Sequence, residues 1–182
     1  MTIYKNVQNI EGLCIIEPSI YYHSNGFSLE TYNEHDYWNA GLNLKFIQDN
    51  HVYSKKGVLR GLHVNKKRPQ GKLIRVVNGV IYDVVVDMRI ESKTYKHWFG
   101  IELSAINKKQ LYIPQGFAHG YLVLSKEADV VFKVTTHFVP DDEIGIAWNC
   151  PELNIKWPHL KDGPILNSKD ANNKNLSEIN WL

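Results

Sequence analysis

The chain has only two cysteines, Cys14 and Cys150, among its 182 residues. They are too few for a disulfide framework and lack metal-type spacing, so both read as free buried thiols. No apolar run approaches the roughly 20 residues needed to span a bilayer. The opening MTIYKNVQNIEGL has no basic stretch followed by an apolar core, so no signal peptide is expected and the expected location is the cytoplasm. Charge of one sign is also scarce: 21 basic residues against 19 acidic leave a formal net charge of +2. That excludes general electrostatic binding to nucleic acid or to an anionic membrane and leaves room for a local anion site. No Gly-rich fingerprint stands at a strand-to-helix turn, so no dinucleotide is expected. No internal repeat or low-complexity linker divides the chain, and its length suits one domain over residues 1–182.

Aromatic residues, by contrast, are plentiful: 10 Tyr, 6 Phe and 5 Trp make up 12% of the chain. Such a composition belongs to a folded protein, because disordered chains are poor in aromatics. The clearest local pattern lies between Lys72 and Arg89. Leu73–Val77 and Val80–Met88 are β-branched runs joined by Asn78-Gly79, which supplies the positive φ angles of a two-residue hairpin. In the second run Ile81, Asp83, Val85 and Asp87 share a face, opposite Tyr82, Val84, Val86 and Met88. Two carboxylates among apolar neighbours suit either a ligand-facing strand or a solvated one. Further short strands are expected at 13–17, 27–32, 46–50, 58–63, 99–104, 110–113, 121–124 and 130–138, with one short helix at 34–40. The Asn-rich tail from Asn167 reads as a partly ordered loop. Many short strands joined by turns imply an all-β sandwich or barrel.

Four segments carry groups suited to chemistry: Gly57–His63, Gln70-Gly71-Lys72, Ile113–Gly120 and Asn167–Asp170. A lone histidine is more often structural than catalytic. Two histidines together with Arg, Lys and Asp are more telling. Histidine suits proton transfer near neutral pH, Asp can orient it and stabilise its charged form, and Lys or Arg can hold a developing oxyanion. The set fits proton abstraction beside a carbonyl.

The order of these segments resembles the dTDP-4-dehydrorhamnose 3,5-epimerase family. The matching stretches are Gln48-Asp49-Asn50, GVLRGLH (57–63), QGKL (70–73), DVVVDMR (83–89), IPQGFAHGY (113–121), WNCPELNIKWP (148–158) and SKD (168–170). The resemblance implies a cupin-type jelly-roll barrel that epimerises a nucleotide-linked 4-keto sugar at C3, C5 or both. It implies no cofactor and a homodimer whose subunits share strands and complete each other's sites. His63 resembles the general base, Asp170 its dyad partner reaching in from the C-terminal segment, and Lys72 the group that holds the C4 enolate oxygen. Arg60, Gln48, Asn50 and His119 resemble residues lining the sugar and diphosphate site. Glu30 resembles a nucleotide-side residue, and Phe138 one of a pair of aromatics that enclose the base.

Phe132 departs from the pattern: the family usually has Tyr there, read as the acid that delivers a proton to the opposite face of the sugar. Phe has no hydroxyl. The simplest reading is an active enzyme that inverts one centre; the others are a substitute donor, such as a nearby tyrosine or water, and a weak or inactive relative. Asn25 stands where an Arg usually helps to hold the nucleotide, which opens the choice of nucleotide. Cys150 replaces a usual Asp, and Val64-Asn65 replaces the commoner aromatic-Gln after His63. A metal-binding cupin would need His-x-His; Asn65 breaks that pair and Lys72 sits where an anionic ligand would be wanted, so no metal is expected. A non-catalytic sugar-nucleotide-binding relative and a ketoisomerase on a related 4-keto sugar stand as the alternative functions.

Overall fold

In the computed structural model, which describes residues 1–181, the chain forms two antiparallel sheets and a separate hairpin. Strands are numbered in chain order. The six-stranded sheet runs β1 (Thr2–Lys5), β2 (Cys14–Glu17), β10 (Gln110–Ile113), β7 (Lys72–Asn78), β12 (Glu127–Val134) and β5 (Gln48–Lys55). The five-stranded sheet runs β13 (Glu143–Gly145), β6 (Leu59–Asn65), β11 (Phe117–Val123), β8 (Val80–Asp87) and β9 (Trp98–Ser104). Strands β3 (Ile20–His23) and β4 (Gly26–Leu29) pair only with each other. The result is the all-β cupin-type jelly roll.

The Asn78-Gly79 hairpin is corrected. Strand β7 pairs with β10 and β12, whereas β8 pairs with β11 and β9, so the turn carries the chain from one sheet to the other. Gly79 does take a positive φ of 80°. Both flanking runs face the space between the sheets, and pairing them with each other would have left that space uncovered. The short helix is present as α1 (Glu34–Asn39), capped by the Asn33 side chain, which accepts from the amides of His35 and Asp36.

Ile74, Val76, Ile81, Val85, Leu103, Leu111 and Val130 fill one end of the space between the sheets. Each such side chain contributes about 1.5–3 kcal/mol on burial. On β8 the alternation sends Ile81 and Val85 into this core and Val84 and Val86 to a second core on the outer face. The second core is closed by Leu153, Trp157, Leu176 and Trp181 of the C-terminal segment. Strand β11 is consequently buried along its whole length. The same packing draws helix α2 (Ser168–Ala171) against β6, so the tail is ordered by its apolar residues despite its polar composition.

Candidate active site

Where the interior is not filled by aliphatic side chains it opens as a cleft of about 370 Å³, lined by residues from both sheets and from α2. His63 enters from β6, and its Nε2 lies 2.6 Å from Oδ1 of Asp170 on α2. A carboxylate only accepts, so Nε2 is the protonated nitrogen and Nδ1 keeps its lone pair. The other Asp170 oxygen accepts from Asn167 Nδ2 at 2.9 Å and from the Gly61 amide at 3.3 Å. Burial by itself would raise the Asp170 carboxyl. The hydrogen bonds from His63, Gly61 and Asn167, with the added attraction of the His63 ring when it is protonated, outweigh it and hold the group below the ordinary carboxylate range.

Lys72 stands at the start of β7, across the cleft, and burial lowers its pKa against the opposing fields of Glu143 and Asp83. His119, on β11, is paired in register with His63 and hydrogen-bonds through Nε2 to Asp83 at 2.9 and 3.1 Å. Burial lowers the His119 pKa, with the charges of Lys72 and His63 adding to the effect; Asp83 opposes it. Asp83 is wholly buried, which removes the solvated-face reading of β8: its two carboxylates serve as buried acceptors. Asp83 holds His119, and Asp87 holds Arg89, Ser92 and Thr94.

Close approach of β6 and β11 depends on Gly61. Its φ is +112°, and a Cβ there would meet the His119 carbonyl oxygen at 2.6 Å. Arg60 beside it donates through Nε to Ser54 Oγ at 2.9 Å. From β5, Gln48 donates to Asn50 Oδ1 at 2.8 Å. Phe132 on β12 lies in register with Asn50 and Ile74, and its ring lines the cleft. Phe138 lines it too and is half exposed.

The structure therefore brings His63, Asp170, Lys72, Arg60, Gln48, Asn50, His119, Phe132 and Phe138 together. Glu30 is the exception: it does not line the cleft of its own chain. It follows the β3–β4 hairpin, which pairs with neither sheet, and it lies in a separate depression of about 60 Å³ beside Met1 and Asp36. Asn25 turns the same hairpin. Five lining residues were given no role of their own in the sequence reading: Val52, Gln70, Tyr121, Glu143 and Asn167. Glu143 Oε2 is 3.8 Å from His63 Nδ1, and Glu143 Oε1 accepts from Lys169 at 2.5 Å. In sequence it closes the acidic run Asp141-Asp142-Glu143, which carries no motif. Tyr121 had a usable signal: it stands two residues after His119, on the same strand face.

The family model for dTDP-4-dehydrorhamnose 3,5-epimerase matches residues 7–178. The chain belongs to that family. The dTDP-4-dehydrorhamnose 3,5-epimerase of Methanothermobacter thermautotrophicus is 45% identical over 171 residues, covering 93% of this chain and 92% of its own. Among solved structures, the dTDP-6-deoxy-D-glucose-3,5-epimerase of Legionella pneumophila in complex with dTDP-4-keto-L-rhamnose is similar with a TM-score of 0.93 and 43% identity. It covers 98% of this chain and 94% of that one. A 3'-monoepimerase from Streptomyces bikiniensis in complex with dTDP-quinovose has a TM-score of 0.85 at 31% identity, covering 92% and 85%. Family membership makes this chain a sugar-nucleotide epimerase, an isomerase by class, and the proteins it is similar to include enzymes described as 3,5-epimerases and one described as a 3'-monoepimerase.

Proposed function

We propose that this chain epimerises a dTDP-linked 4-keto-6-deoxy sugar through an enolate, with no metal or redox cofactor. The observation that carries the reading is the His63–Asp170 pair at 2.6 Å in one cleft with Lys72. The carbon next to a carbonyl is acidic because its electron pair can move onto the oxygen. His63 Nδ1 takes that proton, and Asp170 stabilises the imidazolium that forms. The Lys72 ammonium faces the C4 oxygen as it becomes negative. Return of a proton from the other face inverts the centre. Arg60, Gln48, Asn50 and His119 hold the sugar and diphosphate, and Phe138 packs at the base. The dTDP-sugar bound to the Legionella relative supports this choice of nucleotide. The enzyme is cytoplasmic on this reading, and it is a homodimer in which Glu30 and the exposed aromatics of the β3–β4 hairpin, Tyr22 and Phe27, meet a second copy.

The test is incubation with dTDP-4-keto-6-deoxyglucose in deuterated water, following H3 and H5 by NMR. Deuterium entry and a new epimer are expected; no deuterium at either carbon overturns the proposal in favour of a binding protein. A ketoisomerase would show instead as a moved carbonyl. Phe132 favours inversion at a single centre, and equal inversion at C3 and C5 would refute that part alone.

A further inference from the structure

An epimerase needs two proton-transferring groups, because a base that returns its own proton restores the original configuration. His63 is one, and Phe132 has no hydroxyl to be the other. Among the described residues only two buried side-chain polar atoms lack a hydrogen-bond partner, the hydroxyls of Tyr37 and Tyr121. Tyr37 belongs to an apolar cluster with Cys14, Ile16 and Leu73, away from the cleft. Tyr121 lines the cleft, and the residue is only 4% exposed. A buried donor without a partner is costly, so such groups are rare and point to a ligand that completes them.

We infer that the Tyr121 hydroxyl is the proton donor that completes inversion, in place of the hydroxyl missing from Phe132. Tyr121 rises from β11 of the five-stranded sheet, two residues beyond His119 and in register with Arg60. Its polar neighbours are Arg60 and Ser54, and Ser54 belongs to β5 in the facing six-stranded sheet. The phenol thus points across the interior toward Ser54, four residues along β5 from Asn50, the register partner of Phe132, while the His63 ring stays with Asp170. On this inference the two groups reach a sugar from different sides, His63 from beside Asp170 on α2 and Tyr121 from beside Ser54 of the facing sheet. Burial raises the Tyr121 pKa, which keeps the phenol protonated and ready to donate; the Arg60 charge and the nearby Ser54 and Arg60 donors offset part of this and would stabilise the phenolate once the proton has left.

The step balances. The Tyr121 O–H bond breaks as a C–H bond forms from the enolate double bond, and the C4 oxygen returns its electron pair to re-form the carbonyl. The phenolate then takes a proton from water, and the imidazolium of His63 releases the one it abstracted.

This inference rests on the epimerase reading, and the experiment separates the two. The wild type, Tyr121→Phe and Tyr121→Phe/Phe132→Tyr are compared in deuterated water with dTDP-4-keto-6-deoxyglucose, scoring deuterium entry and inversion separately. In Tyr121→Phe, inversion should fall by about 10²–10⁴-fold, while His63-driven exchange with retained configuration continues. Moving the hydroxyl to position 132 should restore inversion. Inversion within threefold of wild type in Tyr121→Phe overturns the inference, as does an equal loss of exchange and inversion, which would mark a binding or packing role. A wild type that neither exchanges nor inverts overturns the epimerase reading itself. The substitution removes an unsatisfied group, so the melting temperature should not fall and folding does not confound the result.

Discussion

His63 Nε2 and Asp170 Oδ1 meet at 2.6 Å although 107 residues separate them. The apolar residues of the tail, Leu176 and Trp181 among them, bind it to the back of the five-stranded sheet, and the Asn167 cap fixes the first turn of α2 through the Asp170 amide at 2.7 Å. Asp170 is thus held against His63 by packing that lies outside the cleft.

Asp170→Asn keeps the shape of the carboxylate and removes its charge. It should lower kcat by about 10²–10⁴-fold with KM for the sugar nucleotide nearly unchanged. Steady-state kinetics test this; a rise in KM at constant kcat would show that Asp170 acts only in binding.

Lys72 must be charged to hold an enolate, and burial lowers its pKa from the ordinary 10.5. Activity should therefore decline on the alkaline side before pH 10.5 is reached. Lys72→Arg, whose guanidinium stays charged to higher pH, should be slower at neutral pH and lose that alkaline limb. A pH profile of kcat/KM unchanged by the substitution would refute the role.

Asp87 is a test of stability away from the cleft chemistry. Burial would raise its pKa, but the bonds from Arg89, Ser92 and Thr94 prevail and bring it from 3.8 down to about 2. A depressed carboxyl stabilises the fold above its unfolded pKa, and that contribution is lost as pH falls through the folded value. The shift corresponds to about 2 kcal/mol, complete above about pH 5 and lost between there and pH 2. Denaturant titrations from pH 7 to pH 2 should show this acid loss in the wild type and a flatter profile in Asp87→Asn, which starts less stable.

Gly61→Ala should be severely destabilising, by about 3 kcal/mol or more, because its Cβ would sit 2.6 Å from the His119 carbonyl oxygen at a positive φ. Thermal unfolding measures the loss. Any folded fraction should be slow, because strand separation there moves His63 away from His119.

Much of the site was legible in the sequence because its residues cluster in short segments: Arg60 with His63, Gln70 with Lys72, and Asn167 with Asp170. The buried role of Asp83 and Asp87 was left open, since alternation places side chains on a face without saying what covers it.

By itself the sequence determined the all-β class and the helix at Glu34, because residue type and short-range spacing set local conformation, and its resemblance to the family singled out His63, Lys72 and Asp170. Tertiary structure alone decided the rest. Asn78-Gly79 crosses between sheets, since burying both apolar runs outweighs pairing them with each other. Glu30 falls outside the cleft of its own chain because its hairpin joins neither sheet. These are long-range outcomes, settled by which apolar faces cover one another, and no local pattern encodes them.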